Sequence, residues 1–210
     1  MNPATTQSQI VYLIDDDESL RTALARVLRA GGYAVCTYGT VADFLLARET
    51  PLRGCLVLDV RMPGGPSGLE LQRALIRQGE KVPVIFLTGH GDIPMGVQAM
   101  KDGAFDFLTK PVERKMLLQS VRAAFNFEEA RYLASARRRD LEERATLLTR
   151  TEREVFRLVV EGDPNKQIAA ALQCSERTVK SHRAQIMAKM GATSLAELVQ
   201  MSGTLGPKDG

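Results

Sequence analysis

The chain has few cysteines and none in a C-x-x-C arrangement. Cys36, Cys55 and Cys174 are odd in number and lie far apart, which does not fit a disulfide framework. We interpret them as reduced residues of a protein core and expect a cytoplasmic location.

Long apolar segments and a strong net charge are also missing. No run approaches the ~20 apolar residues that a membrane-spanning helix needs, and residues 1–6 contain neither a basic region nor an apolar stretch. We therefore expect no membrane segment and no secretion signal. The net charge of +3 does not by itself indicate a nucleic-acid partner. Hydrophobic residues make up 44% of the 210 residues, which supports a packed core in one or two domains.

Short apolar runs alternate with helical patterns from residue 10 to about residue 124. Runs of this length are typical of buried parallel strands, and the segments between them carry apolar residues at helical spacing. Five strands and five helices in strict alternation predict a doubly wound α/β fold. We expect the five-stranded parallel sheet to have the order 2-1-3-4-5.

Polar residues follow the apolar runs at the expected strand ends. They are Asp15 and Asp16, Asp59, Thr88, and Lys110. Ligands of open parallel sheets bind outside the carboxyl ends of the strands, so these side chains should converge on one edge. The sequence therefore predicts an acidic pocket with a hydroxyl group and an ammonium group at its rim.

The carboxylates of this pocket would repel one another, since an unperturbed aspartate has a pKa of about 3.9. Either one of them has a raised pKa, or a cation is bound. The candidate ligands are all oxygens, which suit a hard cation such as Mg²⁺. A cation held by few carboxylates keeps open positions, and these suit a phosphoryl group.

These residues, in this order and spacing, resemble the receiver domain of two-component response regulators. The resemblance covers residues 9 to about 125 and rests on Asp15-Asp16, Asp59 followed by Arg61-Met62-Pro63, Thr88-Gly89, and Lys110-Pro111. It implies a flavodoxin-like fold with Asp59 as the phospho-acceptor. It also implies roles for neighbouring residues: Mg²⁺ held by Asp15, Asp16, Asp59 and the backbone carbonyl of Arg61, phosphoryl contacts from Thr88 and Lys110, a switch formed by Thr88 and Phe107, and a cis Lys110-Pro111 bond.

One loop departs from the family pattern. Gly64-Gly65-Pro66 makes the segment between Pro63 and Ser67 one residue longer than is usual, and it borders the expected acceptor. We expect the longer loop to change the lifetime of the phosphoryl group, and the sequence does not indicate whether it lengthens or shortens it. His90 lies near the pocket but has no second ligand, so we interpret it as a loop residue.

Residues 126–147 differ in composition, with many Glu and Arg residues and no Gly or Pro. They predict a helical linker. Phe127, Ala134, Leu141 and Leu148 recur every seven residues, which leaves two interpretations open: a helix that pairs with a second copy, or a solvated spacer.

Residues 148–202 show helical patterns and no strand pattern. A short helix starting at Asn165 or Lys166 is followed by a tight turn at Cys174-Ser175 and a longer helix. This is a helix-turn-helix pattern. Between residues 165 and 190 the local charge is +4, from Lys166, Arg177, Lys180, Arg183 and Lys189 against Glu176.

This segment resembles the DNA-binding domain of the FixJ/NarL (LuxR-type) regulators. The resemblance rests on Leu148-Thr149-x-x-Glu152-Arg153-Glu154-Val155, Asn165-Lys166-Gln167-Ile168-Ala169, Arg177-Thr178-Val179-Lys180-x-His182-Arg183 and Ile186-Met187-x-Lys189-Met190. Lys166, Arg177, Thr178 and Arg183 suit phosphate contacts, and Lys180 and Ser181 suit base readout if Val179 points inward. His182 could face a phosphate or the neighbouring helix. Residues 203–210 would form a tail.

The two resemblances together identify the chain as a response regulator of the FixJ/StyR-like subfamily. They imply phosphorylation of Asp59 by a sensor histidine kinase with Mg²⁺, dimerisation through the receiver, binding to double-stranded promoter DNA, and RNA polymerase as a further candidate partner.

Two alternatives remain at this point. A phosphatase or phosphotransferase of the haloacid-dehalogenase type also uses an Asp nucleophile and Mg²⁺, and Asp15-x-Asp17 mimics its first motif. Ser19 stands where that motif has Thr or Val, however, and the helix-turn-helix would be unexplained. The other alternative is a regulator that is never phosphorylated and binds DNA constitutively.

Overall fold

The sheet predicted for the first half of the chain is present. The computed structural model describes residues 9–63, 65–89 and 93–206, with their side chains except those of residues 93 and 94. Five parallel strands have the order β2-β1-β3-β4-β5, so the predicted order is confirmed. The strands are β1 (Ile10–Ile14), β2 (Ala34–Tyr38), β3 (Cys55–Asp59), β4 (Val84–Thr88) and β5 (Asp106–Thr109).

Each strand is followed by a helix, as the alternation requires. The capping residues explain where two of these helices begin: Asp17 accepts from the backbone of Ser19 and Leu20, and Ser67 forms a capping box with Glu70. The helices are α1 (Glu18–Ala30), α2 (Val41–Ala47), α3 (Gly68–Arg77), α4 (Ile93–Lys101) and α5 (Arg114–Thr146).

Alternate residues of the strands supply two apolar clusters. In β1, Tyr12 and Ile14 pack in one cluster with Phe44 of α2, whereas Val11 and Leu13 pack in the other. Every residue of β3 and of β4 is buried, as expected for central strands of a sheet that is covered on both faces. The residues that follow these strands are therefore held by a rigid scaffold.

The C-terminal part is helical throughout. Thr149, Ser175 and Ser194 cap the starts of three helices, and Gly162 and Gly191 end two of them. The helices are α6 (Arg150–Glu161), α7 (Asn165–Ala171), α8 (Glu176–Met190) and α9 (Leu195–Leu205). Helix α9 extends three residues into the predicted tail, and residues 207–210 lie outside the described residues.

The chain divides into two compact units, one ending at Arg131 and the other beginning at Tyr132. The dividing point lies within α5, because the predicted last helix of the sheet domain and the predicted linker are one continuous helix. Leu141 and Leu148 are buried in the core of the C-terminal unit, while Phe127 is 51% exposed and contacts Phe105. Two of the four heptad residues are therefore buried inside one chain. The boundaries 9–125, 126–147 and 148–202 remain predictions.

Two expectations from composition can be compared with this fold. All three cysteines are free, and Cys55 is buried as predicted, whereas Cys36 and Cys174 are half-buried. Among the helices of the described ranges, none combines the length and the apolar composition needed to cross a membrane.

Candidate phosphoryl-acceptor site and DNA-binding surface

The predicted pocket lies at the carboxyl edge of the sheet. Asp15 follows β1, Asp59 is the last residue of β3, and Lys110 follows β5. One carboxylate oxygen from each of Asp15, Asp16 and Asp59 lies within 4.8 Å of the other two. Asp15 and Asp59 are buried, and Asp16 is exposed. Three of the predicted side chains are thus brought together by two neighbouring strands.

Lys110 joins this acidic cluster by two short contacts. Its Nζ donates to Asp15 Oδ2 at 2.8 Å and to Asp59 Oδ2 at 2.6 Å. The other oxygen of Asp59 accepts from the backbone N–H of Arg61 at 3.0 Å, and the Lys110-Pro111 bond is cis. Lys110 therefore occupies one oxygen of the predicted acceptor and holds it at a defined orientation.

The ionisation of the cluster reflects its burial. Burial raises the pKa of Asp15 above its usual value, although the hydrogen bond from Lys110 opposes this effect. Burial lowers the pKa of Lys110, but its hydrogen bonds to Asp15 and Asp59 outweigh this and raise the pKa overall. Lys110 is therefore held in its charged form, but its charge offsets only part of the effect of burial on the Asp15 carboxylate.

The donor set fits a hard divalent cation. Its closely spaced oxygens come from three carboxylates, which is the ligand chemistry that Mg²⁺ prefers. The uncompensated charge at Asp15 has the sign that a cation would neutralise. Of the two remedies stated from the sequence, burial supplies a raised pKa at Asp15, and cation binding by the same residues is compatible with it.

Thr88 and the loop after β3 border the pocket. Thr88 is buried at the end of β4, where its carbonyl accepts from the backbone N–H of Lys110. Gly68, the first residue of α3, lies so close to Asp59 that a Cβ atom there would be 2.2 Å from the Asp59 carbonyl oxygen. Residues 65–67 thus lead into a helix whose first residue touches the predicted acceptor, Asp59. Gly64 and His90 lie outside the described residues.

Phe107, the predicted switch aromatic, contacts the helix before its own strand. Its half-buried ring lies against Gly96 of α4, where a Cβ atom would be 2.4 Å from the ring. Together with Val97, Met100 and Lys101 it lines an open apolar groove. The ring therefore links β5 directly to the surface of α4.

Arg21 is a pocket residue that the sequence analysis missed. Its Nη1 donates to the backbone carbonyls of Asp15, at 2.6 Å, and Asp16, at 3.4 Å. It lies one turn after Asp17, the cap of α1, and that spacing was the available signal. Arg21 fixes the backbone that carries the two consecutive aspartates.

The helix-turn-helix is present in the C-terminal unit. Val179 is buried, so α8 turns its opposite face outward, as predicted. Most of the predicted DNA-binding side chains are exposed, namely Lys166, Arg177, Thr178, Lys180 and Ser181. Thr178 also takes part in capping α8, because its backbone N–H donates to Ser175 Oγ at 3.1 Å.

Three basic residues of this segment are partly buried and pack against or pair with other residues of the C-terminal unit. Arg183 is half-buried and donates to Asn165 Oδ1 at 2.9 Å, which ties α8 to the start of α7. His182 is half-buried and its Nδ1 is buried, which places part of the ring against the protein. Lys189 donates to both carboxylate oxygens of the buried Glu152, at 2.8 and 2.6 Å. The local charge of +4 therefore overstates the charge that is free on this surface.

Comparison with known families agrees with the two sites. Residues 11–122 match the response regulator receiver domain, and residues 146–202 match the bacterial regulatory proteins of the luxR family. The chain therefore belongs to the response regulators, with a receiver domain followed by a LuxR-type DNA-binding domain. These are transcription regulators rather than enzymes, so the haloacid-dehalogenase alternative is not supported.

The similarity extends over nearly the whole chain. Nodulation protein W of Bradyrhizobium diazoefficiens is 44% identical over 197 residues, which are 94% of this chain and 86% of that protein. The structure of the response regulator StyR is 43% identical with a TM-score of 0.77 and covers 91% of this chain and 96% of its own. Full-length FixJ from B. japonicum is 38% identical with a TM-score of 0.60, over 95% of this chain and 98% of its own.

Proposed function

We propose that the protein is a transcription factor controlled by phosphorylation of Asp59, with a sensor histidine kinase as the phosphoryl donor. The observation that supports this most directly is the placement of Asp59. It is buried beside two further aspartates, and one of its oxygens is held by Lys110 at 2.6 Å. We further propose that the protein works in the cytoplasm.

In the proposed reaction, a carboxylate oxygen of Asp59 attacks the phosphorus of a phosphohistidine. The new P–O bond forms as the P–N bond breaks, and the bonding electrons leave with the imidazole nitrogen, which takes up a proton. Lys110 orients the Asp59 carboxylate through its contact with Oδ2 and offers its ammonium group to the phosphoryl oxygens. Asp15, Asp16, Asp59 and the Arg61 carbonyl would hold Mg²⁺, which would supply positive charge to offset the negative charge of the phosphoryl oxygens.

The switch that we propose runs from Thr88 to the α4 surface. Thr88 moves toward the phosphoryl group, and Phe107 rotates into the space that it leaves. Since the Phe107 ring lies against Gly96, its rotation would change the groove that it lines with Val97 and Met100. Val97 is 51% and Met100 46% exposed, and these apolar side chains suit a receiver dimer interface.

The output that we propose is binding of α8 in the major groove of promoter DNA. Lys180 and Ser181 would read bases, while Lys166, Arg177 and Thr178 would contact phosphates, in keeping with their exposure. A dimer would place two recognition helices at half-sites about 34 Å apart. RNA polymerase is the further partner that we propose for the bound dimer.

The test is the intact mass after incubation with Mg²⁺ and a small acyl phosphate. We expect one added phosphoryl group on the wild type and none on Asp59→Asn. Asp17→Asn is the matched control, because it removes a neighbouring carboxylate but keeps a side chain that caps α1. An unmodified wild type, with a donor that modifies another receiver, would favour the alternative of a constitutive DNA-binding regulator.

A further inference from the structure

The end of α5 is attached to the end of the recognition helix. Arg144 lies two residues before the last residue of α5, and its Nη1 donates to the carbonyl oxygen of Met190 at 2.9 Å. Met190 is the last residue of α8. The last carbonyls of a helix have no partner within the helix, and a cation is favoured at this end. Arg144 therefore caps α8 from another helix.

The residue after α8 is suited to this contact. Gly191 has a φ of 69°, in the left-handed region, and ends the helix. A Cβ atom at this position would lie 2.4 Å from Arg144 Nη1. The glycine thus serves two purposes, because it permits the helix to end and leaves room for the guanidinium group.

Two further contacts hold the same part of α5. Leu141 is 3% exposed and Ala145 is partly buried, and both pack in the core that contains Ile186 and Met190 of α8. Within α5, Arg144 also pairs with Asp140, at 2.9 Å between Nη2 and Oδ2. The guanidinium group is therefore oriented before it meets α8, and its contact is directed rather than incidental.

From these contacts we propose that Arg144 is a positioning residue for DNA recognition, an inference that rests on the proposed function. Base readout by Lys180 and Ser181 needs α8 to be held within a fraction of an ångström and 10–20°, roughly the tolerance of functional sites in general. The start of α8 is fixed by its turn to α7, and Arg144 fixes its end. Contacts of exposed basic side chains with phosphates are sequence-independent charge interactions, so we expect a small tilt of α8 to weaken them less than it weakens base readout.

The test compares specific and non-specific binding of the full chain, phosphorylated as above. The specific probe is a duplex recovered by the wild type from random-sequence DNA, and the non-specific probe is a shuffled duplex of the same composition. For Arg144→Met we expect the ratio of the two affinities to fall on the order of tenfold, roughly the loss of one base contact. Arg144→Lys keeps a donor and a positive charge, and we expect it to restore most of the ratio.

Arg138→Met is the matched control. Arg138 lies on the same helix and pairs with Glu142 at 2.8 Å, but this pair is exposed on both sides. We expect the ratio of specific to non-specific DNA affinity of Arg138→Met to equal that of the wild type. Thermal unfolding is followed for every variant, and binding is measured at a temperature where each is folded. If Arg144→Met does not fold, Asp140→Asn replaces it, because this change removes the carboxylate that orients the guanidinium group. Its affinity ratio should fall below that of the wild type, and an unchanged ratio would overturn the inference.

Different results would contradict the proposed DNA recognition and the role of Arg144. A wild type that recovers no sequence contradicts the proposed DNA recognition, and the inference with it. A wild type that selects a sequence, with an Arg144→Met variant that melts earlier but keeps the full affinity ratio, overturns the inference alone. In that case Arg144 would only stabilise the C-terminal unit.

Discussion

Each of the two units packs a partly buried lysine against buried carboxylates, and the two sites differ in how completely the charges are matched. In the C-terminal unit, Lys189 meets Glu152 alone, and Glu152 also accepts from the backbone N–H of Thr149 at 2.7 Å. In the receiver, Lys110 is shared between Asp15 and Asp59, with the Asp16 carboxylate close by.

The ionisation of the acidic groups follows this difference. The hydrogen bonds from Lys189 and from Thr149 lower the pKa of Glu152 to about 2, whereas burial raises the pKa of Asp15. A fully matched pair stabilises the fold and leaves nothing for a ligand to bind. A cluster with more carboxylates than its lysine can satisfy is one that a cation and a phosphoryl group can complete. The first arrangement is that of a structural ion pair, and the second is the one expected of the proposed phosphoryl-acceptor site.

The largest effect should come from removing Glu152. In Glu152→Ala the partly buried Lys189 loses its partner and α6 loses half of its capping box, so we expect a loss of ~3 kcal/mol in the free energy of unfolding of the C-terminal unit. Hydrogen exchange read by mass spectrometry resolves the two units. Glu154→Ala, an exposed position on the same helix, should change little; equal losses in both variants would contradict a special role for the pair.

A second prediction concerns Mg²⁺ and the receiver. At a concentration about 100 times its Kd, Mg²⁺ should stabilise the folded receiver by ~2.7 kcal/mol. Asp15→Asn removes one of the three clustered carboxylates, so the stabilisation should shrink and the affinity should fall. Hydrogen exchange within residues 9–125 measures both. Equal stabilisation of the wild type and the variant would show that Mg²⁺ acts elsewhere, and the C-terminal unit should not respond in either protein.

Acid should gradually remove the stability that the Glu152–Lys189 pair gives to the C-terminal unit. The pKa of Glu152 is about 2 in the folded protein and near 4.5 when unfolded, so its stabilisation is fully present above pH 4.5 and is lost as the pH falls toward 2. Urea unfolding of the C-terminal unit at several pH values between 5 and 2.5 measures this. The free energy of unfolding of the wild type should exceed that of Glu152→Gln at pH 5, and this difference should shrink as the pH falls to 2.5. A difference that stays constant would argue against the lowered pKa of Glu152.

The smallest effect is expected for an exposed pair. Arg157 contacts Glu161 at 2.9 Å one turn along α6, with the side chains 60% and 50% exposed. Arg157→Met should cost at most about 0.5 kcal/mol in the free energy of unfolding, because water and salt screen such pairs. Urea unfolding at low and high salt tests this, and a loss comparable to that of Glu152→Ala would remove the distinction between buried and exposed pairs.

The features predictable from the sequence were those with a local signal. Strands β1 to β5 are short apolar runs, and caps such as Ser67 and Thr149 are followed three residues later by Glu. The acidic pocket followed from a general property of parallel sheets, together with the family resemblance. The sheet order and the convergence of Asp15, Asp16 and Asp59 are accordingly confirmed.

The features missed were contacts between residues far apart in the chain. Lys189 was counted as part of a basic surface, but its partner Glu152 lies 37 residues earlier, and no spacing rule relates the two. Arg183 likewise finds Asn165 across the turn between α7 and α8. The sequence analysis did not predict that the last receiver helix and the linker form one helix, α5. The helical patterns on both sides of residue 125 do not show whether the helix is interrupted there.

The internal pairing of Lys189 also has a consequence for the ions around DNA. Duplex DNA is surrounded by condensed cations, and each phosphate neutralised by a protein releases about 0.9 of them, which sets how steeply binding weakens as salt is added. A lysine that already neutralises Glu152 releases none. A titration with potassium chloride would therefore count fewer phosphates than the basic residues between 165 and 190 suggest, and this regulator should tolerate changes in cellular ionic strength better than its sequence implies.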